Sequence, residues 1–199
     1  MSSVRTILIL LFVIVLSSCE SRSQESIKIT FEPNNMPIII RLAKDNPNRI
    51  IAMQIPNRMV IENSSNFDET YIKVYYKYNE NIPLERRGAF GINLFEVDDN
   101  DHIKKLRNGR NIVKAKSVKK IDFLSAHFID SSKSVQVCFK PYLEEMLALG
   151  KDTLHIMNIN DFKTKNSSLF KKLTNNDSIA IQFLNDKKLG ERITIPIKW

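Results

Sequence analysis

Period-two alternation constrains this chain more than any other feature. Ile27, Ile29 and Phe31 alternate with Lys28 and Thr30, and Ile72, Val74, Tyr76 and Tyr78 alternate with Lys73, Tyr75 and Lys77. The same rhythm returns at Val135, Val137 and Phe139, at Ile179, Ile181 and Phe183, and at Ile193, Ile195, Ile197 and Trp199. Successive side chains of a strand point to opposite faces, so each stretch predicts a strand with one buried face. Further strands are expected near 37–43, 50–55, 58–63, 90–97, 111–118 and 154–159. Ile92 to Val97 is apolar on both faces and reads as a central strand.

Turn chemistry separates these runs. Asn46-Pro47-Asn48, Pro56-Asn57, Asn63-Ser64-Ser65-Asn66, Asp98-Asp99-Asn100-Asp101 and Asn108-Gly109 all favour turns. Asn185 to Gly190 reads as a hairpin loop joining the last two strands. Pro196 has no amide hydrogen, which suits an edge strand.

Two helices interrupt the pattern. Residues 141–149 begin with Pro141 and stop before Gly150, the residues favoured at those two ends of a helix. Residues 167–173 place Leu169, Phe170 and Leu173 on one stripe, with Ser167 as the expected cap. Many short strands without βαβ alternation predict an antiparallel β-sandwich with one or two short helical insertions. Met59 to Tyr78, an apolar strand, an Asn-Ser turn and an alternating strand, resembles a strand pair of immunoglobulin-like modules. That resemblance implies an immunoglobulin-like sandwich over 27–199, although the chain has no Cys–Trp–Cys signature and its single tryptophan is Trp199.

The N-terminal region has a separate logic. Ile7 to Leu16 is apolar, Ser17 and Ser18 are small, and Cys19 follows. The apolar run is short of the roughly 20 residues a membrane span needs. It resembles the signal peptide and lipobox of a bacterial lipoprotein. The resemblance implies a signal peptide over 1–18, cleavage before Cys19, and a diacylglycerol on the Cys19 sulfur. Residues 19–26 would then be the lipidated cysteine and a solvated tether. Each buried lipid CH₂ contributes about 0.8 kcal/mol, so several chains hold a protein firmly on a bilayer. Abundant Ile, Lys and Asn add a resemblance to Bacteroidota lipoproteins, which implies the cell envelope, and its outer membrane over its inner one. Asp152-Thr153-Leu154 and Asp177-Ser178-Ile179 resemble the O-glycosylation sites of that group, with Thr153 and Ser178 as acceptors.

Charge is uneven. The net charge is +8, from 30 basic and 22 acidic residues. Lys104, Lys105, Arg107, Arg110, Lys114, Lys116, Lys119 and Lys120 form a segment without Asp or Glu. It could meet lipid headgroups, acidic glycan or an acidic partner, or be a solvated hairpin whose lysines discourage edge pairing. An exported domain does not meet nucleic acid, so that partner is excluded.

Catalytic chemistry is sparse in the sequence. With Cys19 used as an anchor, Cys138 has no disulfide partner in the chain. A Cys138-dependent hydrolase would need an adjacent base, and His102, His127 and His155 are scattered. Asp98, Asp99 and Asp101 lack the glycine and distal glutamate of a calcium loop, and no paired spacing suggests zinc. No metal, cofactor or catalytic residue is expected. Tyr71 and Tyr75 would share an outer strand face able to stack on sugar or anchor a protein. These readings predict a non-catalytic accessory lipoprotein docking on other envelope proteins. A glycan- or anion-binding surface lipoprotein is the alternative.

Overall fold

The structure is a computed structural model that describes residues 26–78, 92–97, 102–107 and 109–199. The expected signal peptide over 1–18, the expected anchor at Cys19, residues 20–25 of the expected tether and the Asp98, Asp99, Asp101 cluster lie outside the described residues.

The protein is mainly β and its sheets are antiparallel. The larger sheet contains β1 (Ile27–Glu32), β2 (Ile39–Leu42), β3 (Ile50–Asn63), β5 (Ile92–Val97), β6 (Ile103–Lys105), β8 (Ser117–Phe128) and β9 (Thr153–His155). Its order is β6-β5-β8-β3-β2-β9, with β1 also on β3, and it curls into a half-barrel. The smaller sheet runs β11 (Lys188–Pro196), β10 (Ser178–Asn185), β4 (Glu69–Lys77), β7 (Asn111–Val113). As Pro196 suggests, β11 is an edge.

β3 and β8 form the spine, paired without a break from Ala52↔Phe128 to Asn63↔Ser117. On its other side β3 has two successive partners. β2 covers Ile50 to Gln54, and β1 covers Arg58 to Asn63. Between them Ile55, Pro56 and Asn57 pair only with β8. Pro56 therefore does not divide this region into two strands, as the Pro-Asn signal suggested. A strand interior accepts proline where a ladder partner is missing.

Two cores lie along this spine. Met59 and Ile61 of β3 and Ile121 and Phe123 of β8 meet Tyr71, Val74, Ile179 and Ile181 of the smaller sheet. Ile50, Met53 and Ile55 meet the helices instead, through Val135, Phe139, Met146, Phe162 and Phe170. Met53, Ile55, Met59 and Ile61 are all odd-numbered residues of one strand, so a single strand face serves both cores. Trp199 packs against both clusters.

The helices are α1 (Lys133–Gln136), a 3₁₀ turn at Val137–Phe139, α2 (Lys140–Leu149), α3 (Ile159–Lys165) and α4 (Ser167–Thr174). α2 begins at Lys140, one residue before the expected start, carries Pro141 in its first turn and ends at Gly150 in the left-handed conformation (φ 62°), as expected. α4 starts after Asn166, whose side chain makes no capping bond, so the expected Ser167 cap is displaced by one residue. α3 was not foreseen; the Asn158 side chain caps it by accepting from Asp161 N at 3.0 Å.

Val135 to Phe139 is helical, which corrects the expected strand. Residues i and i+4 share a face in both a strand and a helix, so buried Val135 and Phe139 fit either. Val137 decides it: at 60% exposed, it points away from the core. Cys138 is exposed on the 3₁₀ turn rather than on a strand. The expected strand at 111–118 also divides. β7 ends at Val113, Lys116 turns the chain with φ 50°, and β8 begins at Ser117.

Candidate functional site: a polar seam between the two cores

Polar side chains collect on the spine where the two cores meet. Ser125 and His127 follow Phe123 on the inner face of β8 and are both 0% exposed. Ser125 Oγ lies 2.9 Å from His127 Nε2 and 3.2 Å from the Ile55 carbonyl. His127 Nδ1 lies 3.2 Å from the carbonyl of Leu173, at the end of α4. A carbonyl only accepts, so the ring proton belongs on Nδ1 and Nε2 is left as an acceptor; the single Ser125 hydroxyl proton is shared between Nε2 and the Ile55 carbonyl. Asp177 sits just before β10, with Oδ2 3.8 Å from His127 Nδ1. Tyr76 donates its hydroxyl to the same Oδ2 at 2.7 Å. The rings of Tyr76, Tyr78 and Trp199 enclose the imidazole, with centroids 6.0, 5.5 and 6.1 Å away.

Ser125, His127 and Asp177 are the residue types of a hydrolytic triad, but their environment opposes that chemistry. A triad serine must reach substrate, and its histidine must accept a proton. Both groups here are sealed from solvent. Burial, the dominant effect, pushes the imidazole down to about 3, against a smaller raising effect of the Leu173 carbonyl. Nδ1 also bonds a carbonyl rather than the carboxylate. The same desolvation raises the Tyr76 and Tyr78 hydroxyls, so both stay protonated donors. The cluster satisfies buried polar groups and fixes how the smaller sheet and α4 meet the spine.

A cleft opens beside this seam at the interruption in β3 pairing. It encloses about 200 Å³ and is lined by Phe31, Pro33, Asn34, Pro56, Asn57 and Trp199, with Lys163 and Lys198 at its sides. A second hollow, about 360 Å³, shares Lys163 and Trp199 and adds Phe170 of α4. Asn34 is 6% exposed, and its Oδ1 accepts from Met36 N at 2.7 Å. Its Nδ2 and the Trp199 Nε1 have no hydrogen-bond partner among the described residues.

The expected site residues fall elsewhere. Tyr71 is 1% exposed and packs on Phe183 inside the core, so it offers no outer face; this corrects the paired tyrosine surface. The cause is a β-bulge. β10 Gln182 pairs with Lys73 but Phe183 pairs with Tyr71, leaving Ile72 as the extra residue. Tyr75 is half-buried, with Lys73 Nζ 4.6 Å and Arg192 Cζ 4.5 Å from its ring centroid, so the protein's own cations engage it.

The basic run is spread over both sheets, from edge strand β6 to spine strand β8. Lys104 and Lys105 lie exposed on β6, and Arg107 and Arg110 are exposed in the connection to β7. Lys114 pairs with Asp68 at 2.9 Å, Lys119 with Glu96, and Lys120 with Glu32 at 3.6 Å, while Lys116 donates to the Ser64 carbonyl. Half of the run is thus held by oxygen acceptors from other segments. Thr153 is half-buried on edge strand β9 and bonds Asp152 Oδ1 at 3.0 Å. Ser178 is half-buried within β10, and the Asp177 before it is a buried partner of Tyr76.

The sequence reading missed the seam and the cleft. The available signal was Ser125-x-His127 on one face of an apolar run, but the pairing of Tyr76 and Asp177 joins residues distant in the chain. Comparison with family models, with curated proteins and with solved structures finds no match for the chain.

Proposed function

We propose that this chain is a lipid-anchored protein of the bacterial envelope, outer membrane over inner, whose domain is a non-catalytic interaction module for other envelope proteins. One observation carries the non-catalytic reading: Ser125 and His127 are sealed, and their hydrogen bonds are made inside the fold. The anchor is supported by Leu16-Ser17-Ser18-Cys19 and the polar stretch after it. An immunoglobulin-like sandwich is the finer reading of the fold. Two antiparallel sheets sharing a core of Met59, Ile121 and Ile179 support it.

The test has two arms. In a bacterial host fed labelled palmitate, the chain should take up label and enter the membrane fraction, and Cys19→Ser should lose both. In cells of the source organism, crosslinking should recover a defined envelope partner. Label retained by Cys19→Ser would refute the anchor, and recovery of no partner across growth conditions would refute the docking role. A second reading, ligand binding by a surface lipoprotein, is favoured by the cleft of about 200 Å³ lined by Phe31, Pro56 and Trp199.

A further inference from the structure

The chain enters the domain at one end, and exposed apolar side chains gather at that same end. The Ser26 carbonyl accepts from the Ser64 amide at 2.9 Å and from its hydroxyl at 3.0 Å, which ties the entry point to the corner joining β3 to β4. The corner joining β7 to β8 lies alongside. Lys116 N donates to the Ser65 carbonyl at 3.1 Å, and Asn63 Nδ2 donates to the carbonyls of Phe67, Val113 and Lys114. The tip of the β10–β11 hairpin is at this end too, because Leu184 pairs with Thr70 near the start of β4 and with Leu189 of β11. Phe67, Ile112, Val118 and Leu189 are exposed here by 45% to 71%. Lys114, Lys116, Lys187 and Lys188 are exposed among them. Glu62, Asp68 and Asp186 share the same end, so apolar contact rather than net charge distinguishes it.

We infer that this end of the domain seats on the lipid bilayer, with Phe67, Ile112, Val118 and Leu189 entering the boundary between headgroups and acyl chains. This rests on the lipid-anchor reading above and adds the orientation of the domain. Ser26 follows Cys19 by seven residues, which span at most about 25 Å when fully extended. The 12 residues of β8 extend roughly 40 Å at about 3.3 Å per residue. A domain held so closely cannot invert to bring its helical end, with exposed Val137, Leu147 and Leu149, down to the surface. Val118 is the second residue of β8 and Ile112 the second-last of β7, so an insertion of roughly 5–10 Å covers both. Lysine suits such a boundary, since its stem follows apolar groups inward while its ammonium stays with the phosphates. Seated this way, the domain turns its helices outward, where envelope partners can reach them.

The chain purified from bacterial membranes is reconstituted in phosphatidylcholine–phosphatidylglycerol vesicles whose acyl chains carry bromine, which quenches a nearby indole. Trp199, the single tryptophan, packs between the two cores and supplies a constant background. Phe67→Trp should add emission that brominated lipid lowers about twofold or more, whereas the emission added by Leu147→Trp, on α2, should be unchanged. Val118→Asp with Leu189→Asp places charge where the apolar contact forms. Both positions are exposed, so the fold is kept, and the quenching of Phe67→Trp should fall by about half or more. Absence of quenching at position 67, equal quenching at 67 and 147, or quenching unaffected by the paired aspartates would overturn the inference. Quenching reads orientation whichever N-terminal group holds the chain on the vesicle, and palmitate label on Cys19 reads the anchor, so the two proposals fail separately.

Discussion

Arg58 and Asp122 face each other across the two spine strands as a two-pronged ion pair, with Nε against Oδ1 at 2.5 Å and Nη2 against Oδ2 at 3.0 Å. Asp122 is 4% exposed, while the Arg58 side chain is 27% exposed. Removing one partner of a fully buried pair costs roughly 3–5 kcal/mol. Partial exposure of Arg58 lets water recover some of that. Asp122→Ala should therefore cost about 2–3 kcal/mol in urea unfolding. The double variant Arg58→Met with Asp122→Leu should recover most of the loss. A double variant no more stable than Asp122→Ala would show that the pair supports the spine by more than mutual compensation.

His127 sets a pH dependence of stability. Its folded value, about 3, lies below the ordinary 6.5, so the unfolded chain binds the extra proton between these limits. Stability is then full above about pH 6.5 and is lost as pH falls towards 3, by about 1.4 kcal/mol per pH unit. Unfolding curves between pH 6.5 and 4.5 should show this slope in the parent chain. His127→Gln should flatten it while lowering stability at pH 7 by about 1–3 kcal/mol through imperfect replacement of the ring's hydrogen bonds. An unchanged slope in the variant would contradict a buried neutral imidazole.

Ser125 is a packing residue with the neighbours of a nucleophile. A fluorophosphonate probe should leave the folded chain unlabelled, because Ser125 is 0% exposed. Ser125→Ala should lower stability by roughly 1–3 kcal/mol, since the Ile55 carbonyl and Nε2 of His127 lose the one hydroxyl they share. Labelling of the parent chain that disappears in Ser125→Ala would establish a hydrolase.

Gly150 ends α2 at φ 62°, and its amide donates to the Leu147 carbonyl. An added Cβ meets nothing within 4 Å, so the cost of Gly150→Ala is conformational. Thermal unfolding should show a loss of about 1 kcal/mol for alanine and less for asparagine, which enters the left-handed region more readily.

Local rules made much of this fold legible. The alternation at Ile27, Ile29 and Phe31 and at Ile179, Ile181 and Phe183 became β1 and β10. Pro141 and Gly150 bracket α2 at either end. β8 escaped notice beyond residue 118 because Asp122, Ser125 and His127 interrupt its apolar run. Each has its partner elsewhere in the chain, at Arg58, Ile55 and Leu173. A polar residue reads as exposed in sequence and as buried only once its partner is known.

The sequence by itself determined a β-rich chain with antiparallel pairing, the boundaries of its best-capped helix, and the lipobox-like segment ending at Cys19, because side-chain period, capping and turn chemistry act over a few neighbouring residues. Only the tertiary structure decided that Tyr71 is core, that Ser125 and His127 are sealed, and that a cleft opens where β2 and β1 meet β3 in succession. One inserted residue at Ile72 controls the first outcome, the contacts of Leu173, Tyr76, Tyr78 and Trp199 with His127 the second, and one missing strand partner at Pro56 the third. All three are properties of contact between distant segments, and the physical reason they escape the sequence is that no short window contains both partners.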